Sequence, residues 1–589
     1  MKTLVPLEFL PGLFTLKTDR GAKNRWRDGD HVRWYRGTTQ KIGGWTRTVT
    51  NTFLGICRCL IDWQSVTASE NIIALGTHLK LYVEKSGTFY DITPYRETGT
   101  LNGPFDTTNT LATVTVNDTG HGLAVGDYVH FTGAVAGGGI TIDGEYTVTS
   151  VTSVNVYVIT HSAAATSTVA GTGGANVGYS YEISIGRANT AGLGWGVGAW
   201  GTGTWGTARP AALGMCRIWS MDLWGEDLIA CPRGGGIYQW DTSVGTGTRA
   251  AAVAGSPTTA KAVLTSIENR HLIALGAYDG AANDPLLIRW SDSDDNTVWT
   301  AATTNTAGSK RIDGGNEIYC GVKVGREILV HTDSVCVAMV FEGPPYTFGF
   351  YPRGSNGNLA GPNAAKEFDG RCWWMGSQDF FVYDGRVRVL PCEVRNHVFE
   401  DISISQRAKI FAGANRWFGE VWWLYPAAGS TECDRYVLYN VLENHWSFGT
   451  LVRTAFLGDS SLFGPYATGS DGYIYDHESG VDDNTSALAT DLTSWDIEIG
   501  NGEHMMRISK LIPDFESLSG SVDFSIAGRR YPESSAQTTQ SLGSASSTTE
   551  FLNANFRARQ ISLTLSTDAV GDNWGIGTLR LEVSPHGKQ

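Results

Sequence analysis

DLIACPRGGGIYQWD, residues 227–241, consists of an apolar strand, a Gly-rich turn and a second strand that ends in an aromatic followed by Asp. The unit returns as NIIALGTHLKLYVEKSGTFYD from Asn71, HLIALGAYDGAANDPLLIRWSD from His271, EILVHTDSVCVAMVF from Glu327 and RCWWMGSQDFFVYDG from Arg371. Two more copies are EVWWLYPAAGSTECDRYVLYN from Glu420 and SLFGPYATGSDGYIYD from Ser461. Short runs of β-branched and aromatic residues bounded by turn residues read as strands, and two of them around a turn read as a hairpin. From Asp227 onward successive starts fall 41 to 56 residues apart, the period of a propeller that uses one four-stranded blade per repeat. The expected fold class is therefore all-β, with a β-propeller-like domain of about six to seven blades over residues 46–97 and 211–480.

The long gap between Asn71 and Asp227 calls for an insertion. Residues 98–184 contain TLATVTVNDTGHGLAVGDYVHFTGAVAGGGITIDGEYTVTSVTSVNVYVIT, a Val/Thr/Tyr alternation with Gly turns that predicts a small β-domain. Residues 185–210 include GLGWGVGAWGTGTWGTARP, a Gly/Trp-rich loop read as a packed loop or subunit contact. After Val481, GSVDFSIAGRR, RARQISLTLS and GIGTLRLEV alternate with period two and predict a C-terminal β unit over 481–589. Within it, SSAQTTQSLGSASSTTE, residues 534–550, reads as a polar, mobile loop. Trp240, Trp290, Trp374 and Trp423 are expected at equivalent hairpin positions, in the blade cores.

Composition agrees with this reading. Gly fills 72 of 589 positions, well above the usual share of about 7%, while 41% of residues are hydrophobic and 20 are Trp. Disorder is excluded by that apolar content. The formal charge of -14 argues against a protein that grips nucleic acid, which must neutralise phosphates. Nine scattered Cys without a C-x-x-C pair argue against a disulfide framework and a structural zinc site and fit a reducing cytoplasm. Pro6, Glu8 and Pro11 interrupt the apolar start, which is expected to be mature sequence, and no apolar run is long enough to cross a bilayer as a helix.

Candidate chemistry is sparse. WSDSDDNTVW, residues 290–299, loosely matches the Asp box of sialidases but lacks its Gly, so Asp292, Asp294 and Asp295 read as a solvated acidic turn. GDSSL from Gly458 has no partner His that can be placed beside it. Asp118, His121, Asp127 and His130 are close enough in sequence to be metal ligands, but alternation sends Asp127 and His130 to opposite faces. No catalytic residue, cofactor or metal is expected.

LPGLFTLKTDRGAKNRWRDGDHVRWYRGTTQKIGGW, residues 10–45, resembles the opening of phage tail structural proteins. Their pattern is a Pro-Gly start, then R-G-A-x-x-R-W-x-D-G-D-x-V-R-[FW], then K-I-G-G-W. It falls here on Arg20, Gly21, Ala22, Arg25, Trp26, Asp28, Gly29, Asp30, Val32, Arg33 and Trp34, then on Lys41 to Trp45. IRWSDSDDNTVWTAATTNTAGSKRI from Ile288 and the closing RARQISLTLSTDAVGDNWGIGTLRLEVSPHG fit the same family, and VNDTGHGLAVGDYVHFTGA looks like a small β-module found inside phage structural proteins. The propeller-containing members look like the tail nozzle, or tail tubular protein B type, of short-tailed phages.

The resemblance implies a homohexamer forming the distal tail tube of a virion assembled in the bacterial cytoplasm. It would sit below an adaptor ring, contact fibres or spikes, carry the inserted β-domain over 98–184 as a fin or tip, meet the host envelope at its tip and pass double-stranded DNA through its lumen. No catalytic residue comes with the family. Arg20, Arg25, Trp26, Asp28, Asp30, Arg33 and Trp45 are the candidate interaction residues, and Arg20, Arg25, Asp28 and Asp30 read equally as partner contacts or as a salt-bridged turn. The N-terminal segment, residues 1–45, is expected to pair with the C-terminal unit as a platform facing the adaptor. The alternative class is a tail-associated or secreted propeller that binds or cleaves carbohydrate.

Overall fold

The computed structural model describes residues 2–16, 22–66, 69–190, 215–266, 268–354, 358–458, 464–498, 504–531 and 538–587. The Gly/Trp-rich run and the middle of GDSSL lie outside the described residues, as does Arg20. The protein is all-β and propeller-like; among the described residues the one α-helix is Arg395–Asp401. The chain divides into two compact units, one from the described parts of Met1–Thr52 and Arg311–Gln589, the other from those of Phe53–Ala191 and Ala199–Lys310.

Each of the seven repeated hairpins is the middle of a four-stranded antiparallel meander, the blade of a propeller. The second unit holds three. Blade 1 runs through Cys57–Gln64, Asn71–Thr77, Leu81–Lys85 and Thr88–Asp91; blade 2 through Trp219–Trp224, Asp227–Pro232, Tyr238–Trp240 and Ala251–Ala252; blade 3 through Ala262–Thr265, Leu272–Leu275, Leu287–Trp290 and Gly308–Arg311. The first unit holds four. Blade 4 runs through Ile318–Val324, Glu327–Thr332, Cys336–Gly343 and Thr347–Gly354, and blade 5 through Ala365–Phe368, Arg371–Met375, Phe380–Tyr383 and Val387–Leu390. Blade 6 comprises Phe411–Asn415, Glu420–Tyr425, Arg435–Asn440 and His445–Thr450. Blade 7 takes Ala455–Leu457, Tyr466–Thr468 and Ile474–His477 from the repeat and its fourth strand, Trp45–Arg47, from the N-terminal segment.

The central hairpins are the most apolar parts because they are covered on both faces. Leu272–Leu275 and Glu420–Tyr425 are buried throughout, as a strand between two packed layers must be. The four repeated Trp are indeed core residues, but they do not occupy one equivalent position. Trp240 and Trp290 sit on third strands, Trp374 and Trp423 on second strands. A large ring can fill the space between sheets from either strand of the hairpin, so burial is preserved while the register position is not.

The insertion forms an eight-stranded curled sheet from Tyr95–Leu101 to Val177–Glu182, with these two strands paired as its stem. Its own core gathers Phe105, Val114, Phe131, Tyr157, Ile159 and Tyr181. At the other end of the chain, three sheets join the two termini. Thr3–Pro6 pairs with Arg580–Pro585, Trp26–Asp30 with Thr490–Ser494, and Thr38–Lys41 with Asn573–Ile576. The expected pairing of the terminal segments is therefore present.

One expectation is overturned. The polar stretch read as a mobile loop contains an eight-residue strand, Thr538–Ala545, on the edge of the sheet after Val522–Arg529. Leu542 and Ala545 point inward, and the Ser, Thr and Gln side chains are mostly exposed. An edge strand needs only a sparse apolar face, and its polar positions hide the alternation.

Candidate functional site

The family-like motif builds a buried ion network. Arg33 lies on the strand Val32–Tyr35 and is 1% exposed. Its Nε and Nη2 donate to the two oxygens of Glu420 at 2.8 and 3.0 Å, and Nη1 and Nη2 donate to those of Glu478 at 2.8 and 2.5 Å. Its guanidinium stacks 3.7 Å from the Phe418 ring centroid. Burial alone would lower its proton affinity, but the charges of Glu420 and Glu478 reverse that and leave it above its ordinary value. The carboxyl of Glu420 is pushed up by burial, with Arg33 opposing. Trp422 Nε1 donates to Glu420 and Asn415 Nδ2 to Glu478, so the acceptor oxygens are well supplied.

The K-I-G-G-W segment explains itself in the same place. A Cβ on Gly43 would fall 2.3 Å from Glu478 Oε2, and one on Gly44 2.3 Å from the backbone N and O of Asp482. Only glycine lets the chain pass this closely before Trp45 enters blade 7, where its Nε1 donates to Asp483.

The other predicted site residues that the structure describes are also engaged within the chain. Arg25 makes two contacts of 3.2 Å with Glu393, Trp26 is buried against Phe9 at 4.1 Å, and Asp28 accepts the Gly29 N–H at 2.9 Å. Asp30 accepts the Thr450 N–H at 2.9 Å and also its hydroxyl. Sequence reasoning found the motif but missed Glu420, Glu478, Glu393 and Asp483, which no local signal marks as its partners.

A second cluster, also missed, lies in the other unit at the root of the insertion. Lys80 Nζ contacts Asp91 at 2.9 Å, Glu145 at 2.7 Å and Glu182 at 2.9 Å, with the Tyr128 ring 3.9 Å away. Arg249 of blade 2 adds contacts of 2.5 Å to Asp91 and 3.1 Å to Glu182. The three carboxylates offer oxygens within 4.8 Å of one another, a donor set suited to a hard cation, but the Lys80 ammonium lies among them. Burial, then the charge of Asp91, raises the Glu182 carboxyl to about 7 despite Lys80. Asp91 stays below its ordinary value because Lys80 and Arg249 outweigh its burial.

The weaker candidates have structural roles. Asp292 accepts from Ser293 and Thr306, Asp295 from Thr297, and Asp294 pairs with Arg270. These bonds hold the Asp292 and Asp295 carboxyls below their usual range. His121 accepts the Leu123 N–H and lies 3.0 Å from Ser153 O; Asp127 accepts from Ala124 and Ile185; Asp118 accepts from Tyr181. Among the described residues, these three and His130 form no shared ligand group.

No protein-family model and no curated protein matches the sequence. Among solved structures, the phage phi92 endosialidase is similar at 13% identity over 67% of this chain and 53% of its own, with a TM-score of 0.18. The chain thus spans about half the length of that protein. BamB from Moraxella catarrhalis aligns at 11% identity over 44% of this chain and 81% of its own, with a TM-score of 0.25. AztD from Citrobacter koseri aligns at 10% identity over 68% and 88%, with a TM-score of 0.29. The propeller-like reading stands on the sheet topology given above.

Proposed function

We propose that the chain is a structural subunit of a short-tailed phage tail, the nozzle that forms the distal tube as a homohexamer beneath an adaptor ring. The observation that carries this reading is the N-terminal motif, whose Arg, Asp, Gly and Trp positions all match the tail-protein pattern from Arg20 to Trp45. In this chain the motif ties the N-terminus to blades 6 and 7, a reason for a family to keep it that requires no catalytic role. The net acidic charge supports a conduit for DNA: walls without excess cations release few counterions when a polyanion passes, and so do not hold it. Fibres or spikes would attach outside the tube.

Mass spectrometry of purified virions together with negative-stain imaging of the isolated protein tests the reading. The expected result is the chain in the virion tail and, alone or with the adaptor, a six-fold ring open at its centre. Absence from the virion, with the purified chain monomeric and indifferent to the adaptor, overturns it.

A further inference from the structure

Between blades 5 and 6 lies a solvent-open cleft of about 340 Å3. Strand alternation builds one wall: Arg371 and Trp373, two residues apart, project from one face of blade 5, and the register carries that row through Val382 to Arg388. The other wall is the last hairpin of blade 6, where Tyr439 lies directly opposite Trp446. The rings of Trp373 and Tyr439 are 5.7 Å apart, and those of Tyr439 and Trp446 4.7 Å. The Tyr439 hydroxyl donates to Asn444 Oδ1 at 2.8 Å, so the Asn444 NH2 and the phenolic lone pairs remain as hydrogen-bonding capacity.

The charges at the mouth are unbalanced. Glu393 is held by Arg25, and Arg388 by Asp384 in the exposed turn. Among the described residues Arg371 has no carboxylate partner, and its charge acts on the Tyr439 hydroxyl. A planar guanidinium without a carboxylate partner, lining the same cleft as the aromatic rings, favours a carboxylate, which it meets with two parallel hydrogen bonds. The volume is within the range of small-molecule sites and too large for a carboxylate alone, while rings and amide suit the apolar face and hydroxyls of a sugar.

We propose that this cleft binds a carboxylate-bearing monosaccharide, with Arg371 on the carboxylate, the apolar face of the sugar against the cleft-lining edges of the contacting Trp373 and Tyr439 rings, and Asn444 on a hydroxyl. The inference does not depend on the tail reading, since it rests only on blades 5 and 6.

Saturation-transfer NMR and titration calorimetry on the full-length protein test it, with glucuronate, galacturonate and N-acetylneuraminate as probes. Glucose and galactose control for the ring, acetate and glutamate for the carboxylate. At least one acidic sugar is expected to bind in the millimolar range, and Arg371→Met to weaken it about tenfold or more, the worth of a charge-assisted hydrogen bond. Because Arg371 is exposed, the variant is expected to melt with the wild type, which separates lost binding from lost folding. The proposal is overturned if no acidic sugar binds at roughly 10 mM, if neutral sugars or simple carboxylates bind as well, or if Arg371→Met binds undiminished.

Discussion

Arg33 shows where sequence reading reaches and where it stops. Its place in a dense motif was legible, but its two partners lie roughly four hundred residues downstream, and only the folded backbone brings them to it. Its removal leaves two buried carboxylates facing each other, so Arg33→Met should cost about 3–5 kcal/mol, the usual penalty for breaking a buried pair from one side. Arg33→Lys should recover only part of it, because an ammonium cannot serve four oxygens in a plane. Denaturant titration followed by Trp fluorescence reads both; a wild-type midpoint for Arg33→Met would mean that the network does not hold the N-terminal segment. Glu182 gives a second prediction, with the opposite pH sense to the usual carboxylate. Its folded pKa, about 7, lies above the ordinary 4.5, so between those values the folded chain holds a proton that the unfolded chain has lost. Its contribution to stability therefore falls as pH rises from about 4.5 through about 7. Asp91, depressed by Lys80 and Arg249, acts in the opposite sense and only at lower pH. Hydrogen exchange in Val177–Glu182, measured between pH 5 and 8, should show protection declining in the wild type relative to Glu182→Gln. Parallel profiles would show that this carboxyl does not titrate in that window.

At the scale of elements, the hairpins were legible because they are strongly apolar on both faces and their turns carry Gly, Pro, Asn or Asp. The outer strands of the blades were less legible, since an edge strand such as Ala251–Ala252 or Gly308–Arg311 is short and mostly exposed. Thr538–Ala545 escaped because only Leu542 and Ala545 face inward among mostly exposed polar positions, and the closing strand Trp45–Arg47 because its partner lies at the far end of the repeat array. Packing between neighbouring blades was not legible at all, because it depends on which glycine faces which ring. Gly413 in blade 6 leaves room for Phe456 of blade 7: a Cβ there would sit 2.2 Å from Cδ1 and 2.9 Å from Cγ of that ring. The ring is itself stacked with Trp422 at 5.9 Å and has little freedom to retreat. Gly413→Ala should therefore destabilise by about 1–3 kcal/mol, the range for overpacking a tight core, although alanine ordinarily favours folding over glycine. Combining it with Phe456→Leu should restore part of the loss; an unchanged melting temperature in the single variant would show that the blades adjust without strain.

For the molecule as a whole, fold and function separate. A propeller-like array hosts unrelated activities, so seven blades alone select none of them, and the tail reading enters through the motif and the charge. The charge makes the sharper claim. With 59 acidic against 45 basic residues, the chain has an excess of the sign that repels phosphate, whereas a DNA-binding protein gains affinity by displacing counterions with clustered Lys and Arg. A tube through which DNA travels must avoid that gain, because every phosphate neutralised on the wall would slow the strand. The assembled protein is accordingly expected to bind short duplex DNA more weakly than the roughly 10⁻⁴ M limit of ordinary non-specific binding at physiological salt. Any binding at low salt should vanish as salt rises. Fluorescence anisotropy of a labelled duplex, titrated with protein from low to high salt, makes the measurement. Tight binding that survives high salt would identify a cationic grip on DNA and remove the electrostatic support for a conduit.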